Sequence, residues 1–170
     1  MSNLEQRRSV ACPLAQAGMR LKHFFSLHGN RDGDVAKLTI GIDLDVPGLG
    51  VPLALRRSVL VTIQPHHLPA DMDPRYMVQW APEHPGPFPL FSGELTVESG
   101  DDYNSFLLHI AGTYTPPLGL LGQGFDAVLG NHVAQSTVAG LLQQIGGSIQ
   151  LAFQADEAKK HVASPITEAP

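Results

Sequence analysis

The chain has 170 residues, of which 43% are hydrophobic and 16% are charged, and this balance is typical of one globular domain rather than a disordered chain. Its formal net charge is −5 with only 11 lysines and arginines, so it lacks the clustered cations that nucleic-acid binding requires. No apolar run approaches the ~20 residues of a membrane-spanning helix, and no integral membrane segment is expected.

The N-terminal residues and the single cysteine favour a cytoplasmic location. Two arginines are followed there by an apolar stretch that is too weak and broken for the core of a signal peptide. Cys12 cannot form an intramolecular disulfide, and a lone thiol suits a reducing compartment. Because Cys12 has no basic neighbour and precedes Pro13, a nucleophilic role is not expected.

The first 34 residues predict a flexible start followed by one helix. Residues 1–12 are polar and are expected to be flexible. From Pro13 to Leu27 apolar residues recur at helical spacing, and Pro13 is compatible with a first helical turn. Because Gly18 interrupts this pattern, a strand over residues 21–27 is the alternative. A turn rich in Gly, Asn and Asp follows at residues 28–34.

Five further segments predict an antiparallel sheet. Apolar and polar residues alternate over residues 36–46, 53–63 and 90–99, which gives each strand one apolar face and one polar face. A shorter strand is predicted over residues 76–80. Residues 103–115 form the last strand, and apolar residues on both of its sides are typical of a central strand.

A long amphipathic helix is predicted after a bend rich in proline and glycine. It begins near Phe125, and its apolar residues recur every three or four positions as far as Ile149. Gly146 and Gly147 each weaken it by roughly 1 kcal/mol relative to alanine, which indicates a kink or a point of close packing or ligand contact. From Ala155 the chain is expected to fray.

Together these elements predict an α+β fold, in which a curved antiparallel sheet grips a long C-terminal helix and a shorter N-terminal helix accompanies it. Such an architecture often leaves a cavity between the sheet and the helix. A single domain is expected over residues 13–154. Residues 1–12 and 155–170 are expected to be flexible ends.

One segment carries a resemblance to a known superfamily. Residues 112–142 read GTYTPPLGLLGQGFDAVLGNHVAQSTVAGLL, and residues 88–99 read FPLFSGELTVES, the strand that precedes this segment. With the order of elements over residues 35–153, they resemble the START-like helix-grip superfamily of lipid-transfer domains, polyketide cyclases and many bacterial proteins. The resemblance implies a cavity for a hydrophobic or lipid-like ligand, and it transfers no catalytic residue.

The chain departs from this superfamily at one point. Members commonly carry one or two helices between the first and second strands, whereas the strands predicted at 36–46 and 53–63 are joined only by VPGLGVP. The cavity is therefore expected to be shallower, or capped by the N-terminal segment.

Arg57 is the most informative candidate site residue, because alternation places it on the apolar face of its strand. Since burying an unpaired guanidinium is very costly, it needs a partner. A ligand carboxylate or phosphate, Glu94, Asp43 or water at the end of the sheet could provide one. A one-residue bulge would turn Arg56 inward instead.

His109 and Tyr114 lie on the predicted strand that would line the cavity. Histidine can act as an acid or a base near neutral pH, although alternation equally allows His109 on the outer face. Tyr114 precedes a Pro-Pro bend, where a phenol commonly anchors the turn. The residues predicted to line the ligand site are Arg57, Val59, Val61, Trp80, Phe91, Phe106, Leu108, His109, Tyr114, Val138 and Leu142.

Metal binding is not expected. Adjacent His66 and His67 point apart on an extended chain, and only Asp71 and Asp73 lie nearby. No cofactor is expected either.

Three functions remain open at this point. The favoured one is a binding or carrier module for a small hydrophobic or aromatic ligand held between the sheet and the C-terminal helix. The second is an interaction or structural protein with a filled core, for which a homodimer is compatible. The third is an enzyme of the cyclase or dehydratase type that uses His109, Tyr114 and Arg57.

Overall fold

Six strands form one curved antiparallel sheet in the computed structural model of the protein, and two helices pack against it. The structure describes residues 2–29, 35–44, 53–65, 75–84, 90–115 and 127–162. The strands are β1 (Ser2–Val10), β2 (Val35–Leu44), β3 (Leu53–Pro65), β4 (Arg75–Pro82), β5 (Leu90–Ser99) and β6 (Phe106–Thr115), and the helices are α1 (Leu14–His28) and α2 (Ala127–Val162). The fold class predicted from the sequence is confirmed.

The order of strands across the sheet is β1-β6-β5-β4-β3-β2, and every pair of neighbours is antiparallel. Alternation gives the strands an inner face, on which the side chains are buried. In β4, for example, Tyr76, Val78 and Trp80 are buried, whereas Met77 and Gln79 are exposed. The inner residues join those of both helices in one core, whose largest fully buried side chains are Phe106, Leu21, Leu38, Ile40, Leu95, Leu108, Ile110, Leu141, Leu142 and Ile145.

Residues 2–10 form an edge strand, so the prediction of a flexible N-terminus is wrong for this segment. β1 pairs with the full length of β6, from Ser2 opposite Tyr114 to Val10 opposite Phe106. Only Leu4 and Val10 are buried apolar residues in this strand. Two such residues in nine give too weak an alternation for sequence reasoning to detect a strand.

Helix α1 lies between β1 and β2, so the prediction that no helix joins the first two strands is wrong. The strand predicted as the first is β2, so VPGLGVP joins the second and third strands. The helix predicted from Pro13 to Leu27 is confirmed over the alternative strand. It buries Ala17, Leu21, Phe24 and Phe25 against the core.

Helix α2 packs against the two edges of the sheet. Among the described residues its extensive contacts are with β1 and β2, which lie at opposite ends of the strand order, and it also contacts β6 and α1. A sheet has to curve for one helix to reach both of its edges. This packing therefore confirms the predicted curved sheet around the C-terminal helix. Within the described residues, the contacts of α2 with the central strands β3, β4 and β5 are not extensive.

The last turns of α2 are fixed to α1, so residues 155–162 are helical rather than flexible. Arg20 Nη1 of α1 donates to Asp156 Oδ2 of α2 at 2.7 Å, and the Arg20 guanidinium lies 5.7 Å from the centre of the Phe153 ring. Arg20 Nε and Nη2 donate to Gln16 Oε1, which orients the guanidinium. The hydrogen bond from Arg20 is the main cause that lowers the pKa of Asp156 below its ordinary value.

The two adjacent glycines of α2 have different surroundings. A Cβ on Gly146 would come within 2.8 Å of Arg8 Nε and 3.0 Å of Val10 Cγ2, both in β1. A Cβ on Gly147 would meet only Gln143 Nε2 at 4.0 Å. Gly146 therefore allows the close packing of α2 against β1, whereas Gly147 is not required for it.

We predict opposite effects on stability for Gly146→Ala and Gly147→Ala. Gly147→Ala should raise the free energy of unfolding by roughly 0.5–1 kcal/mol, because alanine is the better helix former. Gly146→Ala should lower it by about 1–2 kcal/mol, since the overpacking of Arg8 and Val10 outweighs that gain. Urea unfolding followed by circular dichroism measures both, and an equal gain for the two variants would contradict the packing described.

We also predict that Asp156→Asn makes the protein less stable at neutral pH and less sensitive to acid. Because the pKa of Asp156 is lowered in the folded state, its stabilising contribution is present above the unfolded pKa and is lost as the pH falls through the folded pKa. The stability difference between the two proteins should therefore shrink between about pH 5 and pH 2.

Thermal unfolding across this pH range tests the prediction. Glu157→Gln is the matched control, because Glu157 forms its ion pair with Lys160 in the same helix and not with α1. A difference between wild type and Asp156→Asn that stays constant with pH would contradict the role given to the Arg20–Asp156 contact.

Candidate functional site

Nine of the eleven residues predicted to line a ligand site are buried in the same core. They come from β3, β4, β5, β6 and α2 and are Val59, Val61, Trp80, Phe91, Phe106, Leu108, Tyr114, Val138 and Leu142. The structure thus brings these side chains together between the sheet and the helices. That they contact a ligand stays a prediction.

A row of aromatic side chains crosses the inner face of the central strands. Trp80 of β4 pairs in register with Val61 on one side and Phe91 on the other, and Phe91 in turn pairs with Tyr114. The Trp80 and Phe91 rings are stacked, with centroids 4.1 Å apart and planes 14° from parallel. A stack of this kind is worth ~0.5–1.5 kcal/mol beyond the area it buries, so it holds the two rings in one orientation.

Two glycines make room for this stack. Gly93 of β5 and Gly112 of β6 are opposite each other in the register. A Cβ on Gly93 would lie 2.5 Å from Phe91 Cζ, and one on Gly112 would lie 2.7 Å from the same atom. The Phe91 ring therefore lies over the glycine pair, where no side chain fits. The sequence alone does not reveal this role, because a glycine in a strand becomes informative only when its cross-strand partner is known.

The polar atoms on this face are few, and the charged side chain at a described inner position of the strands is Arg8 of β1. Among the described residues the buried Nε1 of Trp80 has no hydrogen-bond partner. Burial raises the pKa of Tyr76 and of Tyr114, so both phenols stay protonated at neutral pH. The Tyr76 ring also lies 5.9 Å from that of Phe25, which links α1 to the same surface.

The side chains of Arg56 and Arg57 lie outside the described residues. The backbone register places position 57 of β3 opposite Ile40 of β2. Which of the two arginines faces inward, and what it pairs with, stays a prediction.

His109 lies on the outer face, so the prediction that it lines the site is wrong. Its Nε2 is 3.1 Å from Glu5 Oε1 of β1 and its Nδ1 is 3.0 Å from Glu98 Oε1 of β5. Thr96 Oγ1 is a further neighbour of Nδ1, at 3.3 Å. Alternation along β6 turns His109 away from Leu108 and Ile110, which are buried. The His109 side chain therefore links β1, β5 and β6 on the outer face of the sheet.

The other candidates for chemistry are the single cysteine and the His and Asp residues at 66–73. Cys12 is buried, and burial raises the pKa of its thiol, which disfavours the reactive thiolate. His66, His67, Asp71 and Asp73 lie outside the described residues. Within the described ranges no group of three or more His, Cys, Asp or Glu side chains is placed to hold a metal ion. Neither of the described helices has the length and apolar character of a membrane span.

A cavity that sequence reasoning did not find lies beside the start of α1. Its volume is about 500 Å³, and it is lined by residues 13–15 and by residues of the turn between β5 and β6. Asp102 Oδ1 accepts hydrogen bonds from Asn104 N at 3.0 Å and from Ser105 Oγ at 2.7 Å. This carboxylate therefore stabilises its own turn, which is a structural role.

The fold is shared with solved structures, whereas the sequence matches no known family. No protein-family model matches the chain, and no curated protein is similar to it. A conserved protein from Geobacillus kaustophilus has a TM-score of 0.52 at 12% identity, over 89% of this chain and 97% of that one. The protein XoxI from Bacillus cereus has a TM-score of 0.51 at 16% identity, over 92% of this chain and 99% of that one.

A third similar structure is the di-domain ARO/CYC StfQ from the steffimycin biosynthetic pathway. Its TM-score is 0.48 at 16% identity, over 92% of this chain and 52% of that one. The TM-scores above 0.5 show a common fold with the Geobacillus and Bacillus cereus proteins, and identities this low do not transfer a function.

We predict that Gly112→Ala disrupts the aromatic row. The added Cβ would lie 2.5 Å from Gly93 Cα and Ser92 O of the β5 backbone and 2.7 Å from Phe91 Cζ. It therefore forces β5 and the Phe91 ring to shift and loosens the stack with Trp80, at a cost of about 2–3 kcal/mol in the free energy of unfolding. Trp80 is the only tryptophan, so its emission should shift to longer wavelength as the indole becomes more mobile and more hydrated. Urea unfolding and emission spectra of the folded variant measure the two effects.

Thr113→Ala is the matched control for this variant. Thr113 is the next residue of β6 and is exposed on the outer face. It should leave the emission of Trp80 unchanged. An unshifted emission in Gly112→Ala would contradict the link between the glycine pair and the stack.

Proposed function

We propose that the protein binds or carries a small hydrophobic or aromatic ligand between the inner face of its sheet and α2, as a member of the START-like helix-grip superfamily. The observation that carries the proposal is the aromatic row on the central strands, which gives the inner face of the sheet a stacked, flat apolar surface. A flat molecule placed against the Trp80–Phe91 stack gains roughly 25 cal/mol for each Å² of apolar surface removed from water.

The geometry favours binding over catalysis. The proposed enzyme needs His109 and Tyr114 to converge on one substrate, yet Tyr114 is buried on the inner face and His109 contacts carboxylates on the outer one. Without His109 the inner face offers no described group that exchanges protons near neutral pH. The binding and release of a ligand need no group that exchanges protons. A cytoplasmic location and a homodimer stay predictions.

The proposal is tested with freshly purified protein and a fluorescent probe. Native mass spectrometry should show a retained small-molecule mass that organic solvent removes. The emptied protein should bind N-phenyl-1-naphthylamine, an uncharged fluorescent probe, with energy transfer from Trp80, the only tryptophan. Phe91→Ala should weaken this binding about tenfold, because it removes half of the stacked surface.

Met77→Ala is the matched control for Phe91→Ala. Met77 lies on the same sheet but on its outer face, with 37% of its surface exposed, so its loss should not change probe binding. A folded protein that retains no ligand and binds no probe would contradict the proposal and favour an interaction protein with a filled core. Equal weakening by both variants would place the probe elsewhere.

A further inference from the structure

We infer that the ligand carries an uncharged hydrogen-bond acceptor, a ketone, ether or hydroxyl oxygen at the edge of a flat apolar body, which accepts from the indole N–H of Trp80. This inference rests on the proposed function and names the class of ligand for the same site. Trp80 is only 3% exposed, and its buried Nε1 has no hydrogen-bond partner among the described residues.

An indole nitrogen can only donate, which restricts the chemistry of its partner. An ammonium group cannot pair with it, whereas any oxygen with a free lone pair can. Its cross-strand neighbours are Val61 and Phe91, whose side chains contain no acceptor. A buried donor without a partner costs about as much free energy as a lost hydrogen bond, so a ligand that supplies the acceptor is selected over one that does not.

The surroundings favour a neutral oxygen over an anion. The described members of the row, from Val61 through Trp80 and Phe91 to Tyr114, include no cation. A carboxylate or phosphate buried against them would be left without a counter-charge, which is very costly. A neutral oxygen needs only the one donor.

The stack on Phe91 fixes where this oxygen must lie. The near-parallel arrangement of the two rings, held over the glycine pair, prevents the indole from turning to find another partner. A donor held in one direction loses little freedom when it binds, so it distinguishes strongly between ligands with and without an acceptor at that place.

Two probes of the same shape test the inference. 2-Acetylnaphthalene and 2-isopropenylnaphthalene share the ring system and differ only in a carbonyl oxygen replaced by a CH2 group. The acetyl compound should bind about tenfold more tightly, although it is the less hydrophobic of the two. Calorimetric titration of the emptied wild-type protein gives both affinities.

Nuclear magnetic resonance supplies an independent readout. The single tryptophan gives one indole N–H signal, which should move downfield with the acetyl compound and not with the isopropenyl compound. In Trp80→Phe the ratio of the two affinities should fall to about one. The circular dichroism spectrum of this variant checks that it is folded.

The outcomes separate the two proposals. Equal binding of both probes to wild type, with the indole signal unmoved, would overturn the acceptor inference and leave the proposed function standing. A preference that persists in Trp80→Phe would overturn it as well, because another group would then bind the oxygen. Failure of both probes to bind would refute the proposed function, and the inference with it.

Discussion

The arrangement of the inner face depends on a pair of glycines that face each other across β5 and β6. They leave a hollow in the sheet, and the ring of Phe91 fills it. Because Phe91 lies flat there, Trp80 can stack on it, and the row from Val61 to Tyr114 becomes one apolar surface. Any side chain in place of either glycine would lift the Phe91 ring and break this surface.

The helix that covers this surface is supported at the edges of the sheet rather than at its centre. Gly146 brings α2 close to β1, and the contact of Arg20 with Asp156 holds its last turns against α1. The buried residues of α2, among them Leu142 and Ile145, share one core with those of the central strands.

The sequence was sufficient to predict the elements whose two faces differ strongly in hydrophobicity. Alternation predicted β2, β3 and β5, and the stripe that includes Val138 and Leu142 predicted α2. It failed for β1, where a half-buried arginine, Arg8, occupies an inner position, and it left open which face His109 occupies, because one residue of register decides that. The glycine pair and the unpaired indole nitrogen depend on contacts between strands, so no local pattern could indicate them.

The pairing of β1 with β6 has a consequence for how the chain folds. The other four strand pairs join strands that follow one another in the sequence, whereas Glu5 meets His109 across 104 positions. Closing so long a loop costs conformational entropy before its contacts repay it, which places the fold among those of high contact order and slow folding. During synthesis the first strand therefore has no partner until the sixth has been made, shortly before α2 completes the fold.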